Sequence, residues 1–235
     1  LLSVSLGAAE TTLINLTSAY APFVNGGIKI EPKLISRIQD RRGKTIFKLN
    51  NKKCLGCDKF LHDSEDFPVI EHEDKIVFSE ETAYQMTSIL EGAVQRGTAK
   101  KLRDLKVPLA GKTGTTNNNY DAWFVGFTSN LVIGVYVGFD NPKTLGRYET
   151  GSKAALPIFK DFVKKALFKE DFNEFKIPEG IYLTSLDYDT GLKSPLEDRN
   201  TIIEALKAKD INNIDNNKLI SSDNYDKLIK YRQFY

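Results

Sequence analysis

The sequence predicts an α+β fold in which an antiparallel sheet is covered by helices on both faces. The runs "WFVGF" (123–127) and "LVIGVYVGF" (131–139) are apolar at successive as well as alternate positions, so neither face of either strand suits water. Only Thr128, Ser129 and Asn130 separate the two runs, a length that fits an antiparallel connection. Segments 11–25, 79–97 and 154–168 repeat apolar residues at helical spacing and supply the covers.

In the first helix Leu13, Leu16, Tyr20 and Phe23 share a face, Thr11 or Thr12 is the N-cap, and Asn25, Gly26 and Gly27 end it. The segment 28–49 alternates apolar and polar residues around the turn Arg41, Arg42, Gly43 and Lys44, the pattern of a half-exposed hairpin. Residues 50–78 form a polar insertion. Ser79 caps the second helix, and Glu80 and Glu81 sit in the first turn, where the helix dipole favours negative charge. Ala83, Met86, Leu90 and Ala93 face inward, and the helix ends near Gly97. Strands at 107–113, 120–127 and 131–139 follow as one meander, with Gly126, Gly134 and Gly138 allowing close approach.

The third helix follows Gly151 and Ser152, tolerates Pro157 in its first turn and carries Lys164, Lys165 and Lys169 near its negative end. Its expected buried stripe is Ala155, Ile158, Phe162 and Ala166. "IPEGIYLTSLDYDTGL" (177–192) predicts a short strand pair, which closes a domain over residues 1–195. Residues 196–235 are rich in Asn, Asp and Lys, lack a sustained apolar stripe and predict a partly ordered tail.

Composition narrows the function classes. Of 235 residues 41% are hydrophobic and 27% charged, the balance of a chain that can bury a core. Thirty-three basic against 31 acidic residues give a net charge of +2, too weak a field to support a nucleic-acid partner. No window approaches the roughly 18 uninterrupted apolar residues of a membrane span. The chain opens "LLSVSLGAAETTL", without methionine and almost at once in a helical pattern, which predicts a fragment whose lack of a targeting segment says nothing of location.

The chemistry centres on Lys112, Thr113 and Gly114, a K-T-G triplet on an inner strand. Alone, the triplet is weak and Lys112 reads as a solvated strand lysine. Side chains alternate along a strand, so Lys112 and Gly114 share one face and Thr113 and Thr115 the other. Gly114 leaves room for a ligand backbone to lie close. Trp123 and the other aromatics read as core, and Asn117, Asn118 and Asn119 as turn formers.

The flanks make the triplet specific. "SLGAAETTLINLTSAYAPFVNGG" (5–27), "EGAVQRGTAKKL" (91–102), "LAGKTGTTNNNYDAWFVGFT" (109–128), "VYVGFDNP" (135–142) and "GSKAALPIFKDF" (151–162) together resemble the transpeptidase domain of bifunctional, class A penicillin-binding proteins, over residues 3 to about 195. The resemblance implies a penicillin-binding transpeptidase or serine β-lactamase-like fold, here incomplete, and acyl transfer from a D-Ala-D-Ala peptide through a serine ester. By the same resemblance Lys112 and Thr115 are catalytic and Thr113, Gly114 and Thr115 bind substrate. Lys112 supports proton transfer through the serine of an S-x-N motif, the Thr113 and Thr115 hydroxyls hold the substrate carboxylate, and the Thr115 N–H forms half of the oxyanion hole. Implied partners are peptidoglycan stem peptides, β-lactams and the upstream half of the same domain. Full-length relatives are membrane-anchored, at the periplasmic face of the bacterial inner membrane. No cofactor and no metal are implied.

No lysine has a serine three positions before it, so the S-x-x-K nucleophile motif of the family is absent from these residues. Ser222, Asp223 and Asn224 spell S-D-N, but after K-T-G instead of before it, and read as a chance match. The expectation is the back half of a transpeptidase domain, one wall of an active site with negligible activity alone. Two alternatives stand beside it: a non-catalytic structural or peptidoglycan-binding remnant of that domain, and a β-lactamase or D,D-carboxypeptidase.

Cys54 and Cys57 form "CLGC", with His62 and His72 close behind. A local disulfide pinning the insertion is the preferred reading and fits an oxidising compartment. A Cys2His2 zinc site has an unusual histidine spacing, and a redox C-x-x-C lacks its thioredoxin-like setting.

Overall fold

The computed structural model describes residues 2, 4, 7, 9–49, 75–167 and 172–211, and residues 52–55 and 69–72 by their backbone alone. Helix α1 (Leu13–Val24) starts where the Thr12 side chain accepts from the Asn15 N–H. An exposed hairpin follows, β1 (Arg37–Gln39) with β2 (Thr45–Lys48), turned by Asp40, whose carboxylate takes the Arg42 and Lys44 N–H groups. Every residue of both strands is exposed, so the expected half-burial is not met. Inside the polar insertion, β3 (Lys52–Leu55) pairs antiparallel with β4 (Val69–His72).

Helix α2 (Glu80–Gln95) is capped by Ser79. Its buried residues are Ala83, Thr87, Leu90, Gly92 and Val94, whereas Met86 and Ala93 are only half-buried. Thr87 joins this stripe because its hydroxyl, 2.8 Å from the Phe23 carbonyl and 3.1 Å from that of Ala83, is satisfied against α1. Strands β5 (Ala110–Thr115), β6 (Ala122–Phe127) and β7 (Val132–Val137) then form one antiparallel sheet in that order. The predicted meander is present, two or three residues shorter at some ends.

Helices cover this sheet on both faces. On one, Ala122 and Phe124 of β6 pack with Leu102, Leu109, Ala155, Leu156, Phe159 and Val163, the last four brought by a π-helical turn at Gly151–Ala155 and by helix α3 (Leu156–Ala166). The Phe124 and Phe159 rings meet edge to face with centroids 4.8 Å apart. On the other face Phe127 and Ala110 pack with Leu90, Tyr20, Phe23 and Phe175. Helix α1 lies close over β7 there: a Cβ on Gly134 would sit 2.0 Å from the Thr17 hydroxyl oxygen.

Three expectations change. The buried face of α3 is Leu156, Phe159 and Val163, with Ile158 52% and Phe162 45% exposed. The helix is apolar along two adjacent stripes, and spacing alone does not choose between them. Strand β8 (Ile181–Asp187) pairs with β9 (Thr201–Lys207) and not with a strand inside 177–192. That hairpin crosses the expected boundary at 195, so the supposed tail contributes an ordered strand. Residues 212–235, including Ser222, Asp223 and Asn224, lie outside the described residues.

The β8–β9 hairpin docks on α2. Gln85 Nε2 donates to the Ala205 carbonyl at 3.2 Å, Lys207 Nζ to Thr82 Oγ1 at 2.7 Å, and Arg96 pairs with Glu204. Burial raises the Glu204 carboxyl, and the Arg96 charge opposes this only in part. Burial also raises Glu91, aided by the charge of Glu174 and opposed by Arg96. A raised carboxyl favours the fold fully below its unfolded pKa and loses that contribution as pH climbs through the folded one.

Two outcomes check this packing. Phe159→Ala should cost about 3–5 kcal/mol in urea unfolding, and Ile158→Ala under about 1 kcal/mol; the reverse ranking would restore the stripe expected from spacing. Glu91→Gln should raise the thermal midpoint at about pH 8 more than at about pH 5, and an equal effect at both would remove Glu91 as the titrating group.

Candidate functional site

Strand β5 is an edge strand of its sheet among the described residues, not the inner strand expected for the K-T-G triplet, and is held on one side only. It pairs with β6 in the register Lys112 to Val125, Thr113 to Phe124, Gly114 to Trp123 and Thr115 to Ala122, and its other edge pairs with no strand among the described residues. The alternation expected along K-T-G follows from this register. Lys112 and Gly114 stand on the face of Val125 and Trp123, and Thr113 and Thr115 on the face of Phe124 and Ala122.

Each motif residue has a distinct setting. Lys112 is exposed, and its ammonium donates to the Thr113 carbonyl at 3.0 Å. Among the described residues no carboxylate lies within ion-pair distance of it. Gly114 faces Trp123, whose Cβ would be 3.2 Å from a Cβ placed on the glycine. The half-buried indole packs on Tyr136 with centroids 4.6 Å apart, and the Tyr136 hydroxyl donates to Asp121 Oδ1 at 2.8 Å. That bond to a carboxylate raises the phenol.

The two threonine hydroxyls have partners within the chain. Thr113 Oγ1 lies 2.8 Å from Thr98 Oγ1, on the loop that leaves α2. Thr115 Oγ1 accepts from the Gly151 N–H at 3.0 Å and keeps its own O–H as a donor. Gly151 is pressed onto the sheet: a Cβ there would lie 2.4 Å from the Trp123 carbonyl oxygen and 2.5 Å from that of Gly114. No side chain fits in that space, so the start of the π-helical turn must be glycine.

Beyond Thr115 the chain turns through Asn118 and Asn119 at φ 59° and 53°, left-handed values that asparagine tolerates. Asn119 does more than turn: its side-chain amide donates to the Gly146 and Arg147 carbonyls, both at 2.9 Å. Thr98, Gly151 and Asn119 therefore hold the wall, and sequence reasoning assigned none of them that role. The available signals were weak, a glycine just before a helix and an asparagine run too polar for its place between strands.

The half-open pocket lined by Tyr84, Thr87, Ser129 and Glu174 lies at the opposite end of β6 and includes none of the K-T-G residues. Among the described residues no three His, Cys, Asp or Glu side chains are grouped to hold a metal. Cys57 and His62 lie outside the described residues, as do the Cys54 and His72 side chains, whose backbones stand opposite Ile70 and Lys52.

Residues 1–164 match the family model of the penicillin-binding protein transpeptidase domain. Penicillin-binding protein 1A of Rickettsia prowazekii is 42% identical over 228 residues, 95% of this chain and 28% of that relative. Penicillin-binding protein 1A of Pseudomonas aeruginosa is 34% identical over 219 residues, covering 80% of this chain and 27% of its own length. The crystal structure of penicillin-binding protein 1A from Haemophilus influenzae superposes with a TM-score of 0.72 at 35% identity, over 88% of this chain and 33% of that one. The chain thus spans less than a third of the length of the curated relatives it matches.

Gly151→Ala should displace the π-helical turn from β5 and destabilise the chain by about 2 kcal/mol or more. It should also remove protection of the Gly151 amide in hydrogen exchange. An alanine variant with the wild-type midpoint and protection would show that the close approach is not required.

Proposed function

Because the chain belongs to the penicillin-binding protein transpeptidase family, we propose that it forms the substrate-binding wall of a peptidoglycan D,D-transpeptidase of the bifunctional class A type. The observation that carries this reading is the free edge of β5, where an exposed Lys112 stands beside a glycine on an otherwise braced strand.

An extended D-Ala-D-Ala peptide can add to that edge through main-chain hydrogen bonds, with Gly114 leaving room for its backbone. The Lys112 ammonium, with no carboxylate partner among the described residues, is available to a substrate carboxylate and to a serine that relays a proton. Thr113 and Thr115 complete the carboxylate site. The Thr115 hydroxyl is suited to this because its lone pair holds Gly151 while its proton remains to be donated. The Thr115 N–H supplies half of the oxyanion hole, whose donors act where negative charge develops. None of this provides a nucleophile. The S-x-x-K serine must come from outside these 235 residues, and in the intact protein the reaction runs at the periplasmic face of the inner membrane. Among the described residues no helix is long and apolar enough to cross a membrane.

Two measurements test the proposal. Titration of an N-acyl-D-Ala-D-Ala peptide, followed by NMR, should shift β5 amides, and Lys112→Ala should weaken binding about 10–100-fold, the worth of one charge-assisted hydrogen bond. Unchanged affinity in that variant would overturn the assignment. A fluorescent penicillin should leave no covalent label on this chain, and labelling would place a nucleophile within it. Peptide binding combined with no labelling of any longer form of the protein is the outcome of the non-catalytic reading.

A further inference from the structure

The loops that follow β5 and β7 close on one another beside the motif strand. The Leu145 N–H donates to the Asn119 carbonyl at 2.9 Å, and the Asn119 amide returns two bonds to Gly146 and Arg147. Gly151, at the far end of the second loop, is bonded to Thr115 itself. These bonds fix an open depression lined by Asn118, Asn119, Tyr120, Pro142, Lys143 and Arg147 against the end of β5.

Lys143 and Arg147, which line this depression, and Lys153, which flanks it, rest on aromatic rings. Lys143 Nζ stands 4.0 Å from the Phe139 centroid, and Arg147 and Lys153 lie 5.5 and 5.2 Å from that of Tyr148. The rings are themselves exposed, Tyr148 by 62%, Phe139 by 42% and Tyr120 by 38%. Residues 139–153 carry three cations and two carboxylates, Asp140 and Glu149. Neither carboxylate is within ion-pair distance of a cation among the described residues. A ring that holds a cation by its face leaves the N–H donors directed away from it, and a side chain already positioned loses less entropy on binding.

We propose that this shelf is a second substrate subsite, which takes the part of the peptidoglycan strand lying outside the dipeptide held on β5. Lys143, Arg147 and Lys153 pair with carboxylates along the stem peptide, and Tyr120 and Tyr148 lie against its amino sugar. The ligand class is an anionic peptide joined to a glycan, recognised by charge and by flat apolar faces together. This inference rests on the proposed function, and it adds a length requirement to it: a short dipeptide meets only β5, while a muropeptide meets both places.

The test compares two probes on the 235-residue chain, an N-acyl-D-Ala-D-Ala dipeptide and a soluble muropeptide carrying its sugar and free carboxylates. Wild type should prefer the muropeptide. In a Lys143→Ala, Arg147→Ala double variant with an unchanged thermal midpoint, that preference should fall about tenfold or more. Amidation of the stem-peptide carboxyls, with the terminal D-Ala carboxylate left free, should reproduce the loss on wild type. An unaltered preference in the double variant overturns the shelf while Lys112→Ala still reports on β5. A shelf-dependent preference in which Lys112→Ala leaves the affinity of both probes unchanged would instead sink the strand-edge reading. Equal binding of heparin and muropeptide would reduce the shelf to unspecific charge and also overturn it.

Discussion

Strand β6 is buried on both faces and hydrogen-bonded along both edges, and the position of every functional group depends on it. Ala122, Phe124 and Phe127 have no exposed surface, and each phenylalanine contributes roughly 2–3 kcal/mol of burial. Two opposed faces need two covers, so the chain must bring α3 to one side and α1 with α2 to the other. Strand β5 then hangs from β6 by its ladder alone on that side, with six residue pairs in unbroken register. An edge strand supported in this way would twist freely without further bracing. The braces are Thr98 from the end of α2 and Gly151 from the start of α3, one for each threonine of the motif.

The sheet and its covers were legible because they follow from local pattern. Continuous apolar runs at 123–127 and 131–139 predict strands covered on both faces, and a three-residue connection makes them neighbours; β6 meets this, whereas β7 is half-buried with Tyr136 exposed. The faces of α3 were not legible. Apolar residues at 155, 158, 162 and 166 and at 156, 159 and 163 both follow helical spacing, and the choice is made by Phe124 on another element. Strand β9 was missed for a similar reason. "TIIEALK" has no strict alternation, and its strand character appears only with β8, fourteen or more residues upstream.

The site divides in the same way. Lys112, Thr113, Gly114 and Thr115 are candidates from a short motif in a specific context, and the face each occupies follows from the period of a strand. What holds them could not be read. Thr98 reaches Thr113 across 15 positions and Gly151 reaches Thr115 across 36, and neither contact leaves a periodic trace. A glycine that admits no Cβ looks in sequence like any other glycine before a helix.

The unpaired edge of β5 also bears on solubility. A row of unsatisfied main-chain donors and acceptors accepts any extended chain, including the same edge of a second copy. Soluble proteins usually blunt such an edge by covering or distorting it, but under the proposed function this one would have to stay flat and open to receive a peptide. Charge is the remaining safeguard. Two copies of β5 meeting edge to edge would bring two Lys112 ammonium groups into one narrow region, while an incoming anionic peptide would be drawn there. The same lysine would thus sort extended chains by the sign of their charge, favouring an anionic one over a second copy of the strand.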